Sequence, residues 1–201
     1  MIHKQVFFVL IVSFLCMITS AQKETHTETQ RWVVTENSSL RVLGSTNVNR
    51  FTCDITGYNT PDTISIKTIS QYNSLNGNVN LDIRNFNCHN PMMTKELRKT
   101  LKANLFPTLQ IQFLSLNTLP ELTMRPAGIT GLVDIHLAGK CKRYTISYEV
   151  SVDANKIIHL KGYREISFSD FNLKPPKKAG GIITAKDKLI VEFMLNLKNL
   201  G

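Results

Sequence analysis

Residues 129–150 read ITGLVDIHLAGKCKRYTISYEV. Ile129, Gly131, Val133, Ile135 and Leu137 share one parity. Ile146, Tyr148 and Val150 share another, which extends to Val152, with Ser147, Glu149 and Ser151 between them. A period of two sends successive side chains to opposite faces, so each run reads as a half-buried antiparallel strand.

The same alternation recurs on either side. Ile64 and Ile66, then Val79, Leu81 and Ile83, then Leu109, Ile111 and Phe113 form inward sets. Downstream come Ile158, Leu160, Gly162, Ile166 and Phe168, then Leu189, Val191, Phe193, Leu195 and Leu197. Turn chemistry is expected at Gly44–Asn47, Asn76-Gly77, Asp153-Ala154-Asn155 and Gly180-Gly181. About nine strands of this spacing fit a sandwich or a barrel. Gly131 and Gly162, both inward and mid-strand, suit a sheet curved enough to close.

One segment breaks the period. In NPMMTKELRKTLKANLFP, Asn90 is placed to cap and Pro91 to occupy the first helical position. Met93, Leu97 and Leu101, four apart, give one apolar face. This single amphipathic helix is expected to run toward Pro107 and to plug one end of the barrel.

The start of the chain, MIHKQVFFVLIVSFLCMITSAQ, has a positive start, an apolar stretch over Val6–Ile18 and small residues at Thr19-Ser20-Ala21. It reads as a secretory signal peptide, residues 1–21, cleaved after Ala21. The destination would be the periplasm or the outside of the cell. Residues 22–30 are polar and aperiodic and read as a disordered leader. Residues 31–201 then form one domain. With 24 Lys plus Arg against 15 Asp plus Glu the chain carries +9; losing Lys4 leaves 23 against 15, or +8. The basic residues are scattered, which argues for a solvated surface rather than a nucleic-acid interface. Peripheral contact with an anionic membrane is compatible with the charge.

Little supports catalysis. His3 and His26 fall in the leader regions, and His136 and His159 take outward parity. Cys88-His89 is the one nucleophile-like or metal-like pair, yet neighbours in an extended strand point apart. No paired carboxylates and no phosphate-cradling glycine loop occur. We therefore expect no enzyme, no metal and no cofactor. Cys53, Cys88 and Cys141 remain after cleavage, and three cysteines leave at least one unpaired. Cys53 and Cys88 both lie near strand ends, and the expected bridge joins them, with Cys141 free.

In order and spacing, these segments resemble the YceI-like family of exported, lipid- and polyisoprenoid-binding, lipocalin-like proteins. The resemblance runs through GSTNVNRFTC, NGNVNLDIRNFNCHNPMM, LRKTLKANLFPTLQIQF, ITGLVDIHLAGKCKRYTISYEV and ISFSDFNLKPP, covering nearly all of 31–199. The late Asp-Phe-Gly motif has Asn172 in place of glycine here. The resemblance implies an all-β fold: an antiparallel barrel of about eight strands with one amphipathic helix. It also implies a non-catalytic role, holding an amphipathic lipid of isoprenoid or fatty acyl type in the lumen for sequestration or transport. The alternative is a structural or surface-interaction protein whose barrel is filled by side chains. Candidate lumen residues are Phe51, Leu81, Ile83, Ile111, Phe113, Ile135, Tyr148, Leu160, Phe168 and Phe193. Met93, Leu97 and Leu101 are expected to supply a floor or gate from the helix.

Overall fold

A computed structural model describes residues 27–58, 60–70 and 72–200. The expected signal peptide, 1–21, and the leader up to residue 26 lie outside the described residues.

Among the described residues there are twelve strands and one α-helix. The strands are β1 Thr27–Val34, β2 Ser38–Ser45, β3 Arg50–Tyr58, β4 Thr63–Ile69, β5 Tyr72–Asp82 and β6 Thr108–Leu116, followed by β7 Ala127–Leu137, β8 Lys140–Val152, β9 Ile157–Ser167, β10 Lys177–Lys178, β11 Ile183–Thr184 and β12 Lys188–Asn199; the helix, α1, is Pro91–Thr100. Eight strands close an antiparallel ring in the order β1-β4-β5-β6-β7-β8-β9-β12, with β12 returning to β1. The all-β barrel with one helix read from the sequence is the observed fold.

Closure depends on β12 serving two partners on one edge. Its first half pairs with β2, from Ile190↔Leu43 to Met194↔Ser39. Its last residues pair with β1, from Val34↔Leu197 to Trp32↔Asn199. The β2–β3 hairpin therefore takes the place of β1–β4 in the wall at the end where α1 sits. β3 is tied back to the chain after β5 by paired backbone bonds between Asp54 and Asn87, 2.8 and 2.9 Å. The Cys53–Cys88 disulfide lies beside them. Further along β3, Tyr58 Oη donates to Asp62 and accepts from Asn80 N of β5 at 3.3 Å. Burial, reinforced by Asp62, pushes the Tyr58 phenol up to about 12.

Inward parity is obeyed along the barrel wall. Ile64, Ile66, Val79, Phe113, Ile146, Val150, Ile158 and Leu197 are all buried. Gly162 leaves room for the Phe193 ring, which would collide with any Cβ there. The Phe51 ring occupies the corresponding space over Gly44.

Four local expectations are corrected. Residues 27–30 are strand rather than disordered leader, pairing from Thr27↔Ile69 to Gln30↔Ile66. Backbone ladder bonds hold them, and their polar side chains leave no apolar pattern to read. The domain thus begins by residue 27, not 31. Asn76-Gly77 is no turn. It lies inside β5 at a register shift between Ser74 and Gly77, where a Cβ on Gly77 would meet Thr63 O at 2.6 Å. The β4–β5 reversal instead includes Ser70, at φ 59°. Gly44 belongs to β2, and the turn is Thr46–Asn49, where Thr46 Oγ1 accepts from Val48 N and Asn49 N at 3.1 and 2.9 Å. The helix stops at Thr100, well before Pro107, because Lys102 turns left-handed at φ 56° and Ala103 N bonds back to Arg98 O at 3.0 Å.

Its start matches expectation. Asn90 Oδ1 accepts from Met93 N at 3.0 Å, with Pro91 at the first turn. Thr94 Oγ1 takes Cys88 N at 2.9 Å, and Arg98 Nη2 donates to Phe86 O at 2.9 Å. These bonds and the disulfide fix the helix over the barrel mouth.

The disulfide closes a loop of 35 residues, so replacing both Cys53 and Cys88 with Ala should cost about 2–4 kcal/mol of stability. The check is the urea midpoint of variant and wild type, with dithiothreitol producing the same fall in wild type only. Equal midpoints for the variant and oxidised wild type would remove the bridge from the account of stability.

Candidate functional site

Beneath α1 the barrel encloses a cavity of about 80 Å³. Leu97 and Leu101 roof it. Ile111, Val133, Ile135 and Ile146 form one wall, Leu40, Val42 and Phe193 the other, and Phe168, Phe171 and Leu173 close the far side. The surface facing the space is apolar. Phe168–Phe171 is a 3-10 turn that follows β9 directly. Asn172 ends it in the left-handed conformation, φ 54° and ψ 36°, so it performs the role a glycine would have there.

Two further spaces, one larger and one smaller, share lining residues with the cavity. Toward solvent, a cleft of about 200 Å³ runs between α1, the β2–β3 turn and the β10–β11 ribbon, lined by Val48, Phe51, Met93 and Ile183 among others. Leu97 and Phe168 belong to both walls and form the partition between cleft and cavity. Below, a void of about 10 Å³ borders Leu81 and Phe113 and shares Leu40, Ile111 and Phe193 with the cavity. The half of the barrel away from α1 is packed with side chains, including fully buried Trp32, Ile64, Ile66 and Leu197.

The sequence-derived candidates therefore divide by height. Ile111, Ile135, Phe168, Phe193, Leu97 and Leu101 line the cavity. Phe51 and Met93 line the outer cleft. Leu81 and Phe113 border only the small void. Ile83, Tyr148 and Leu160 do not reach the cavity and are ordinary core. Ile83 is turned into the wall by the 3-10 turn Ile83–Asn85. Tyr148 packs edge-on against Phe193, with centroids 5.7 Å apart, and burial pushes its phenol up. Parity reports which face a residue takes but not its height along the barrel. The wall residues Val133, Ile146, Ile166 and Leu189 sat in the inward sets without being selected. Arg164 also lines the cavity; it has the inward parity of Ile158, Leu160, Gly162 and Ile166 but was not selected because it is charged.

Polar links ring this end of the barrel. Asp54 is held by Arg41 Nε at 2.9 Å and His89 Nε2 at 2.8 Å. Burial alone would raise the Asp54 carboxyl, but those two hydrogen bonds outweigh it and hold it below the usual range. His89 is thus spoken for, and Cys88 is in the disulfide. The Cys88-His89 pair offers neither a thiol nor a ligand pair. Cys141 is free and exposed, its Sγ 3.7 Å from His136 Nε2. Among the described residues no group of three His, Cys, Asp or Glu side chains is placed to hold a metal ion.

Opposite the disulfide, β8 and β9 part. Their ladder ends at Ser147↔Tyr163, beyond which β8 pairs only with β7 and β9 only with β12. Side chains bridge the gap. Tyr144 Oη donates to Asp170 Oδ2 at 2.8 Å, and Lys142 Nζ lies 3.5 Å from Asp170 Oδ1. Burial would lift the Asp170 carboxyl, but the bonds from Tyr144 Oη and Ser167 N and the Lys142 ammonium more than offset it and keep it low.

No family model matches the sequence, and no curated protein matches it. Solved structures do. A polyisoprenoid-binding domain from Saccharophagus degradans implicated in plant cell wall breakdown superimposes with a TM-score of 0.58 at 12% identity, covering 83% of this chain and 97% of that one. The chain shares the barrel fold of that domain. BcnA from Burkholderia cenocepacia superimposes with a TM-score of 0.53 at 13% identity, covering 79% of this chain and 95% of that one. At these identities the shared property is the barrel, and the cavity is described from this chain's own residues.

The Asp170 bridge carries a pH signature. A carboxyl held below its ordinary value stabilises the fold above about pH 4 and loses that contribution as pH falls through its folded value. Asp170→Asn should cost about 1 kcal/mol at pH 7, and the gap from wild type should narrow below about pH 4. Urea midpoints of both proteins across that range provide the check; a gap constant with pH would mean the charge contributes nothing.

Proposed function

We propose that this protein is a non-catalytic, exported binding protein that takes the tail of a long-chain amphipathic lipid into the barrel beneath α1. Sequestration or transport of that lipid would be its role. The observation that carries the reading is the apolar cavity at the helix end, which shares Leu97 and Phe168 with a mostly apolar surface cleft. The name of the Saccharophagus domain supports an isoprenoid as one tail class, and a fatty acyl chain satisfies the same wall.

The physics is desolvation. Each methylene moved from water into such a wall gains about 0.8 kcal/mol. A cavity of about 80 Å³ is small beside ligand pockets of roughly 300–1,000 Å³. A long tail therefore has to displace Leu97 and Phe168 and join cleft to cavity. Both belong to the capping elements rather than to the ring, so the wall can stay intact while they move. Export fits the disulfide, which oxidising compartments sustain. Cleavage after Ala21 would leave Gln22 as the N-terminus of the exported protein, which N-terminal sequencing reads directly.

The packed half of the barrel favours a second reading, a side-chain-filled scaffold with no ligand. Native mass spectrometry of the protein purified from its own compartment, together with uptake of farnesol and fatty-acid probes, separates the two. The lipid reading expects a bound or exchangeable amphiphile. It also expects Ile135→Phe, which fills the cavity, to weaken uptake at least about tenfold, equivalent to about 1.4 kcal/mol, with the circular dichroism spectrum unchanged. Uptake that is absent in wild type, or indifferent to Ile135→Phe, favours the filled scaffold.

A further inference from the structure

One residue that lines the cavity, Arg164, is charged, but the surface facing the space is apolar, so its stem borders the cavity and its guanidinium lies outside it. Along β9 the inward positions run Ile158, Leu160, Gly162, Arg164 and Ile166. Four of the five are what a barrel interior calls for. A guanidinium at the fourth needs a route to water or a partner. The route is the β8–β9 gap, because Arg164 is the first β9 residue past the last β8–β9 pair, Ser147↔Tyr163. Its backbone pairs with Val191 of β12, and its side chain lines the cavity yet is solvent-exposed.

The head group is not neutralised by the protein. Among the described residues no carboxylate lies within 4 Å of the guanidinium. The neighbouring acids are engaged elsewhere: Glu165 with Lys188 Nζ at 2.7 Å, and Asp170 with Tyr144 and Lys142. Arg164 instead rests over the Tyr144 ring, its Cζ 5.8 Å from the centroid. That contact orients the guanidinium but leaves its in-plane N–H donors unoccupied by acid, with apolar wall on one side and water on the other.

Resting on the lumen reading above, we propose that the ligand is a single-chain amphiphile with an anionic oxyanion head, a carboxylate or a phosphate. The tail lies in the apolar cavity, and the head is held at the β8–β9 window by Arg164. A planar guanidinium presents two parallel donors to either oxyanion, and the pairing strengthens at the edge of a water-poor cavity. A neutral head would gain nothing from Arg164. The apolar wall alone would take acid and alcohol equally.

The test uses the full exported chain and matched pairs of ligands: dodecanoate with dodecanol, and farnesyl phosphate with farnesol. Dissociation constants are measured by calorimetry for wild type, Arg164→Gln and Arg164→Lys at low and high salt. The expected result is an anion preference of about tenfold in wild type, smaller at high salt. Arg164→Gln should erase it by weakening the anions alone, and Arg164→Lys should retain part of it. The carboxylate and phosphate arms identify which head is preferred. Equal binding of anion and alcohol by wild type, or equal weakening of both by Arg164→Gln, overturns the head-group assignment while the lumen reading stands. If neither member of either pair binds, the lumen reading fails and this proposal fails with it. Thermal midpoints of the variants within a degree or so of wild type confirm that the comparison is between folded proteins.

Discussion

A closed antiparallel barrel has to satisfy every strand edge, and in this chain one strand does so for two neighbours at once. β12 spends its first half on β2 and its last residues on β1. The ring is consequently built by different strands at its two ends. At the end of β1 and β4 the inward side chains meet in the middle. At the other end the β2–β3 hairpin takes their place, and a cavity remains between the wall and α1. The helix that roofs the cavity and the disulfide that holds the helix belong to that end. Cys53–Cys88, the Asp54–Asn87 backbone bonds and the Asp54–His89 contact tie the outer edge of β3 to the segment after β5, and Tyr58 ties it to β5 itself.

Most of the wall was legible in the sequence because burial on one face leaves a period-two signature that does not depend on knowing the partners. The failures occurred where structure is held by something other than apolar side chains. Thr27–Gln30 is strand because β4 offers it a ladder, and its polar side chains carry no trace of that. Asn76-Gly77 has turn chemistry but is used for close approach to β4 within a bulged strand. The true reversals at Ser70 and Thr46–Asn49 rest on local backbone conformation and hydroxyl bonds that several sequences could supply.

The site was legible in part for the same reason. Of the proposed lumen residues, those near α1 line the cavity and those deeper are core, and nothing in a parity pattern distinguishes the two. Height along the barrel is set by strand tilt and register, which emerge only when all strands pair. Leu97 and Leu101 were found because a helix in an all-strand chain has few other places to bury an apolar face. Arg164 was missed, although it has the inward parity of Ile158, Leu160, Gly162 and Ile166, because a charge within an apolar set reads as a solvated exception. The end of the β8–β9 ladder one residue earlier shows how that side chain reaches water.

The two openings toward the cavity differ in chemistry, and the difference orients whatever enters. The cleft beside α1 is lined by Phe51, Met93, Val48 and Ile183 and leads through Leu97 and Phe168. The β8–β9 gap is bordered by Arg164, Lys142 and the Tyr144–Asp170 bond. An apolar tail gains from the first surface and not from the second, while a polar head is solvated at the second without leaving the protein. Widening the gap breaks both the Tyr144–Asp170 bond and the Lys142–Asp170 ion pair, so this polar rim resists opening. On the proposed reading the helix side would admit chain, and the gap would hold a head in place.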